Sequence, residues 1–160
     1  MRHVTSILVE NKPGVLGRVT GLISRRGFNI DSLSVAPTED ATKSRITVVV
    51  EADNVAYEQI TKQLNKLVSV HKINDLTAED AIERELVLFK VGVEPERRGE
   101  VIEIANVFRA KVVDVGKKSI TIEATGATSK LDAMKELLES YRIRQITRTG
   151  ITAIPRGSGD

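Results

Sequence analysis

"HVTSILVENKPGVLGRVTGLISRRG", residues 3–27, decides the fold. Residues 3–9, rich in Val, Ile and Thr, read as a strand. Val15, Leu16, Val19, Leu22 and Ile23 then recur with helical spacing and fall on one face. Arg25 and Arg26 suit a helix C-terminus, and Gly27 stops it. Between strand and helix stand only Asn11-Lys12-Pro13-Gly14. Pro13 has a fixed φ and no N–H, while Gly14 permits a sharp turn and a close approach. The amides of Gly14, Val15 and Leu16 therefore open a helix without intrahelical partners. Two readings of the turn stay open at this point. It is a plain strand-to-helix connection capped by water or Asn11, the default for a Pro-Gly turn. Otherwise, those amides and the helix dipole hold a carboxylate or phosphate.

Outward from this stretch, residues 28–37 alternate, with Ile30, Leu33 and Val35 apolar, and residues 44–52 form a strong β run. The polar "TEDATK" between them predicts an antiparallel hairpin. Asp53 or Asn54 can cap a helix carrying Tyr57, Ile60, Leu64, Leu67 and Val68. Residues 70–77 make a further strand. The acidic "AEDAIERE", residues 78–85, has little to bury and reads as a linker or short helix.

The order then repeats. Residues 86–93 form a strand, and Val101, Ile104, Ala105 and Phe108 mark a helix after Glu94-Pro95. Residues 111–126 are two strands around Gly116-Lys117-Lys118. Thr128 or Ser129 caps a helix with Leu131, Met134, Leu138 and Tyr141, residues 144–155 are the last strand, and "RGSGD" is a frayed tail. The expectation is an α+β chain of two tandem ferredoxin-like βαββαβ domains, 1–77 and 86–160, joined by a linker at 78–85. Sheets covered on one side, in units this small, call for association between chains.

Composition narrows the function classes. The chain has 160 residues, 41% of them hydrophobic, with 24 Lys and Arg against 22 Asp and Glu. That balance is too slight to mark a nucleic-acid binder. No apolar run approaches the roughly 18 residues of a membrane span, and no signal-peptide pattern opens the chain, so a cytoplasmic location is expected. Zero Cys removes disulfides, thiolate metal sites and a cysteine nucleophile. His3 and His71 stand alone in strands, without carboxylates at metal-ligand spacing. No nucleophile elbow, P-loop or carboxylate pair appears, and Asp31, Glu39 and Asp40 are scattered in loop-like surroundings. No catalytic residue and no metal site is assigned.

Asn29, at a strand entry, is either a local turn former or a side-chain amide offered to a ligand. The basic run of Arg142, Arg144 and Arg148 reads first as a charged edge strand that resists aggregation, and second as a docking surface.

"ILVENKPGVLGRVTGLISRRGFNIDSLSVAPTED", residues 7–40, closely resembles the ACT domain that opens the regulatory small subunits of acetohydroxyacid synthase, also called acetolactate synthase. The likeness extends to "SRITVVVE" (44–51), "KQLNKLVSVHKINDLT" (62–77), "RELVLFKV" (84–91), "SKLDAMKELLESYRI" (129–143) and "RTGITAIPRG" (148–157), about residues 2–156 in all. The combination of NKPGVLGRV with RRGFNI is the specific part.

The resemblance implies a subunit that carries no catalysis and no cofactor of its own. Thiamine diphosphate, Mg and FAD are expected on the larger catalytic partner, in branched-chain amino-acid biosynthesis. The small subunit raises that partner's activity and confers feedback inhibition, usually by valine, with leucine or isoleucine as other effectors. The effector is expected between the ACT domains of a homodimer or higher oligomer. Carried over by position, Asn11, Gly14, Val15 and Leu16 come from one chain, and Asn29 and Ile30 from its partner. Gly17 departs from the Ser or other small side chain common in relatives. "GVEPERRGEV", residues 92–101, has Glu-Pro in place of Pro-Gly, so no amino-acid site of the same kind is expected in the second domain, whose role would be dimerisation or docking.

The same strand order occurs in RNA-recognition modules, which need exposed aromatics on the central strands. Neither 3–9 nor 44–52 carries one. A stand-alone enzyme lacks any supporting constellation.

Overall fold

The computed structural model describes residues 1–77 and 80–157. In the first unit β1 (Arg2–Glu10) leads into α1 (Val15–Arg25), β2 (Ile30–Pro37), β3 (Lys43–Glu51), α2 (Asn54–Asn65) and β4 (Val70–Asp75). The sheet order is β2-β3-β1-β4, all antiparallel, with β1 and β3 central. Alternation sends Ile7 and Val9 of β1, and Ile46, Val48 and Val50 of β3, toward the helices. There they meet Val15, Val19 and Ile23 of α1, and Tyr57, Ile60 and Leu64 of α2. Each such side chain contributes roughly 1.5–3 kcal/mol on full burial.

Asp53 caps α2 as its position predicts, its carboxylate accepting from the Ala56 amide at 2.8 Å. Gly27, at φ 81°, ends α1 in the left-handed region, with its N–H on the Ser24 carbonyl at 3.0 Å. His3 is a core residue: its ring stacks on Tyr57 at 3.9 Å, and its Nε2–H donates to the Ala52 carbonyl at 3.1 Å.

The second unit repeats the order with β5 (Ala81–Gly92), a short 3-10 turn (Pro95–Arg97), α3 (Arg98–Val107), β6 (Lys111–Val115), β7 (Ser119–Gly126), α4 (Thr128–Leu138) and β8 (Arg142–Arg148). Its order β6-β7-β5-β8 matches the first unit's, and β8 is the edge strand expected of the basic run. Val87, Phe89 and Val91 of β5, with Ile120 and Ile122 of β7, pack against Val101, Ala105, Leu131, Met134 and Leu138.

Three local expectations are corrected. The linker expected over 78–85 is largely strand, since β5 begins at Ala81; Ala78 and Glu79 lie outside the described residues. A strand can run through Glu85, buried as it is, because Arg148 lies 3.6 Å from its carboxylate. Val68 follows the end of α2 and is 94% exposed, so it is not part of the buried stripe. Thr128 lies inside α4, and Ala127 occupies the cap position without a side-chain bond.

The largest correction concerns the last strand. Residues 144–155 do not run on as one element, because Gly150 turns the chain at φ 83°. Beyond it β9 (Thr152–Pro155) forms a strand of its own, off the β6-β7-β5-β8 order, and pairs with β5. The Arg156 amide donates to the Asp80 carbonyl at 2.9 Å, and its Nε to the Asp80 carboxylate at 3.1 Å.

Ile151 and Ala153 pack with Val4, Val49 and Leu76 on the face of the first sheet away from its helices. The Ile151 backbone is held from both sides of its peptide. Its N–H donates to Ser32 Oγ at 2.7 Å, and its carbonyl accepts from Ser34 Oγ at 2.9 Å. The chain thus divides into Met1–Ile82 with the segment beginning at Ile151, and Glu83–Gly150. The expected division at 77 and 86, with everything after 86 in the second domain, differs from this by the returning segment. The frayed tail expected from Arg156 onward is ordered at Arg156; Ser158, Gly159 and Asp160 lie outside the described residues.

Candidate functional site

The turn after β1 has the form its sequence predicts. Gly14 is the N-cap of α1 at φ 85°, ψ −11°, a left-handed conformation that side-chain-bearing residues resist. A Cβ there would meet nothing within 4 Å, so conformation rather than space requires glycine. No side-chain cap covers the helix start. The Val15 amide reaches the Lys12 carbonyl only at 3.4 Å, a weak bond. The Val15 side chain is 5% exposed and packs into the core, so this residue offers a ligand its backbone alone; Leu16, at 36%, reaches solvent.

Asn11 is engaged locally. Its N–H donates to the Thr42 carbonyl at 2.8 Å, and its Nδ2 to the Ala41 carbonyl at 3.0 Å. The turn is thereby stitched to the β2–β3 hairpin loop. That loop is itself braced by Asp40, whose carboxylate accepts from the Thr42 amide at 2.9 Å and its hydroxyl at 2.6 Å. These bonds, the hydroxyl's first, hold the Asp40 carboxyl below the usual carboxylate range. Asp40 read from sequence as a scattered loop acid. The D-x-T spacing of an Asx turn was the available signal for its bracing role.

Asn29 is exposed and Ile30 half-buried. They stand at the far end of the sheet from the turn. Ile30 pairs with Val50, which pairs with His3 at the start of β1. The Gly14 turn follows Glu10, which pairs with Lys43 at the other end of β3. At about 3.3 Å per residue the two halves of the predicted site lie roughly 20 Å apart along the strands. One chain therefore brings Asn11, Gly14, Val15 and Leu16 together and leaves Asn29 and Ile30 apart from them.

Beside the turn lies a hollow of about 210 Å³, lined by Val15, Arg18, Val19 and residues 66–70. It is mostly apolar, with Arg18 and Lys66 as its cations. Of the sheet's two edges, β4 carries His71, Lys72 and Asp75, charges and a basic ring of the kind that discourage strand addition. In β2, "IDSLSVAP", Asp31 is the sole charged residue, and Val35 is 43% exposed.

The opposite face of β1 and β3 offers no platform for bases. Val4 and Val49 there are covered by Ile151 and Ala153. Among the described residues no group of three or more His, Cys, Asp or Glu is placed to hold a metal, and no helix is long and apolar enough to cross a membrane.

Two family descriptions match the chain. Residues 5–72 match the AHAS small subunit-like ACT domain, and residues 84–157 match the small subunit of acetolactate synthase. The probable acetolactate synthase small subunit of Archaeoglobus fulgidus is 50% identical over 158 residues, covering 99% of both chains. The acetolactate synthase small subunit of Mycolicibacterium smegmatis is 52% identical over 155 residues, covering 97% of this chain and 91% of that one. The crystal structure of the acetolactate synthase small subunit from Thermotoga maritima matches with a TM-score of 0.89 at 40% identity, covering 99% of each chain. With two βαββαβ units, an ACT domain first, and near-complete coverage by such relatives, the chain belongs to the family of acetolactate synthase small subunits, the regulatory rather than the catalytic chains of that enzyme, and a catalytic subunit is the partner this implies.

Proposed function

We propose that this chain activates its catalytic partner and confers feedback inhibition by valine bound between the ACT domains of two chains. The observation that carries the reading is the separation of the site's two halves along β2. Antiparallel pairing of two β2 edges about a twofold axis would set the Ile30 end of one strand beside the Pro37 end of the other. The Pro37 end is where the β2–β3 hairpin loop and the Asn11–Gly14 turn lie. Such a dimer joins Asn29 and Ile30 of one chain to Asn11, Gly14, Val15 and Leu16 of the other, twice. The weakly guarded β2 edge supports this pairing.

A free amino acid suits the groups so assembled. Its carboxylate meets the Gly14–Leu16 amides at the positive end of the α1 dipole. Asn11, with Nδ2 committed to Ala41, offers its amide oxygen to the ammonium. Leu16 and Ile30 supply apolar surface for a short branched side chain. Valine bridging two chains favours one arrangement of the dimer. Inhibition follows when that arrangement interacts differently with the catalytic subunit, for a ligand indifferent to the two states shifts nothing.

The test is titration of valine, leucine and isoleucine into the chain mixed with its cognate catalytic subunit, with calorimetry on the chain alone. The expected result is activation by the chain, loss of rate on adding valine, and a valine heat. No heat at millimolar valine from a folded dimer would overturn the feedback reading.

A further inference from the structure

In the second unit the structural counterpart of the Gly14 turn carries a different chemistry. Val93, just past the end of β5, donates its N–H to the Lys118 carbonyl at 3.1 Å, as Asn11 donates to Thr42 in the first unit. The chain then enters Glu94-Pro95 and the 3-10 turn. Here a cleft of about 290 Å³ opens, lined by Arg97, Lys118, Arg142 and Arg144 with Gly92, Glu94 and Tyr141 among its remaining walls. Four cations face the single lining carboxylate of Glu94. That local excess is larger than the +2 of the entire chain.

Arg97 and Arg144 are held in place by their neighbours. Arg144, on edge strand β8, reaches across the end of β5 and donates from Nη2 to the Lys118 carbonyl at 3.3 Å. It can do so because the residue beneath is Gly92, where a Cβ would lie 2.9 Å from Arg144 Nε. Arg97 stacks over Tyr141 at 4.7 Å and pairs with Glu100 at 3.1 Å, while the Tyr141 hydroxyl donates to the same carboxylate at 2.8 Å. Arg98 fixes the β6–β7 loop by donating to the Gly116 and Lys117 carbonyls at 3.0 and 3.1 Å, which sets Lys118 at the rim. Lys118 is 4.0 Å from Glu94, the weakest of these ion pairs.

We infer that this cleft is a second ligand site, for a small polyvalent oxyanion, separate from the amino-acid site of the first unit. Guanidinium forks recognise tetrahedral or planar oxyanions through paired hydrogen bonds. The volume is near the lower end for small-ligand sites, about 300–1,000 Å³, and matches an anion of a few heavy atoms better than a macromolecular segment. Phosphates and polycarboxylates share this chemistry.

Calorimetry of the full-length chain with pyrophosphate, and separately with citrate, tests the inference and tells the two sources apart. Binding tighter than millimolar is expected for at least one, weakening as salt is raised. Arg142→Gln with Arg144→Gln should lower affinity by about tenfold or more. Gly92→Ala should act in the same direction by displacing Arg144, with unchanged circular dichroism. Valine titrated in parallel should respond as in the unaltered chain, so failure here is distinguishable from failure of the valine reading. No binding of either probe at millimolar concentration, or an unaltered affinity in the double variant, would overturn the site.

Discussion

The two units share an order of strands and helices and differ at one corner. In both, the residue after the first strand donates to a hairpin-loop carbonyl, Asn11 to Thr42 and Val93 to Lys118. From there the first unit takes Lys12-Pro13-Gly14 into a helix whose opening amides no side chain caps. The second takes Glu94-Pro95 into a 3-10 turn and surrounds it with arginines. The same backbone scaffold therefore presents bare amides at one corner and charged side chains at the other. What differs is the turn chemistry and the basic side chains around it, not the architecture.

The largest effect expected from altering this contrast is at Gly14. Gly14→Asp combines a left-handed φ with a negative charge where the ligand's carboxylate docks, and should weaken valine binding by about a hundredfold, on the order of 2–3 kcal/mol. Activation of the catalytic subunit should persist. Calorimetry and a rate assay with and without valine read both. Gly14→Ala separates the two causes: strain alone should cost about 1 kcal/mol of stability and leave part of the valine response.

The units also differ in how the first sheet's second face is closed. Ile151 fills it from the chain's far end. Ile151→Ala should lower unfolding free energy by about 2–4 kcal/mol in urea melts. Ser32→Ala with Ser34→Ala removes the two hydrogen bonds to the Ile151 backbone and should cost about 1–3 kcal/mol together.

The smallest effect concerns Asp40, which braces the loop that Asn11 grips. Its carboxyl is held below the usual range by Thr42, so the ionised form stabilises the native state. That contribution is present above the unfolded-state value and is lost as pH falls through the native one, below about pH 4. The thermal midpoint of the unaltered chain should fall slightly more steeply there than that of Asp40→Asn.

The first unit was the more legible in sequence because its signals are local. Gly14, Gly27 and Asp53 each stand where a turn or cap demands that residue type, and all three occupy those positions. What escaped was set by distant partners. Glu85 looked too polar for a strand until Arg148, far along the chain, stood beside it. Ile151 and Ala153 read as the end of the last strand, and only Gly150 hinted that the chain would turn away to cover Val4 and Val49. At the turn, Gly14 caps α1 in a left-handed conformation and Leu16 reaches solvent, while Val15 turns its side chain inward to the core. Asn29 stood out locally as an amide at a strand entry with two readings open, and only the resemblance assigned it to the partner chain's half of the site. Its separation from the turn comes from register along β3, which no local pattern encodes.

The central claim, that each valine site takes its turn from one chain and Asn29 from another, is tested most directly by mixing two valine-blind variants. Gly14→Asp and Asn29→Ala chains are unfolded together, refolded and titrated with valine. In a mixed dimer one site collects both lesions and the other has none, so valine binding should return at roughly a quarter of the unaltered capacity. A mixture as silent as its parents, with mixed dimers demonstrated by mass spectrometry, would contradict the account.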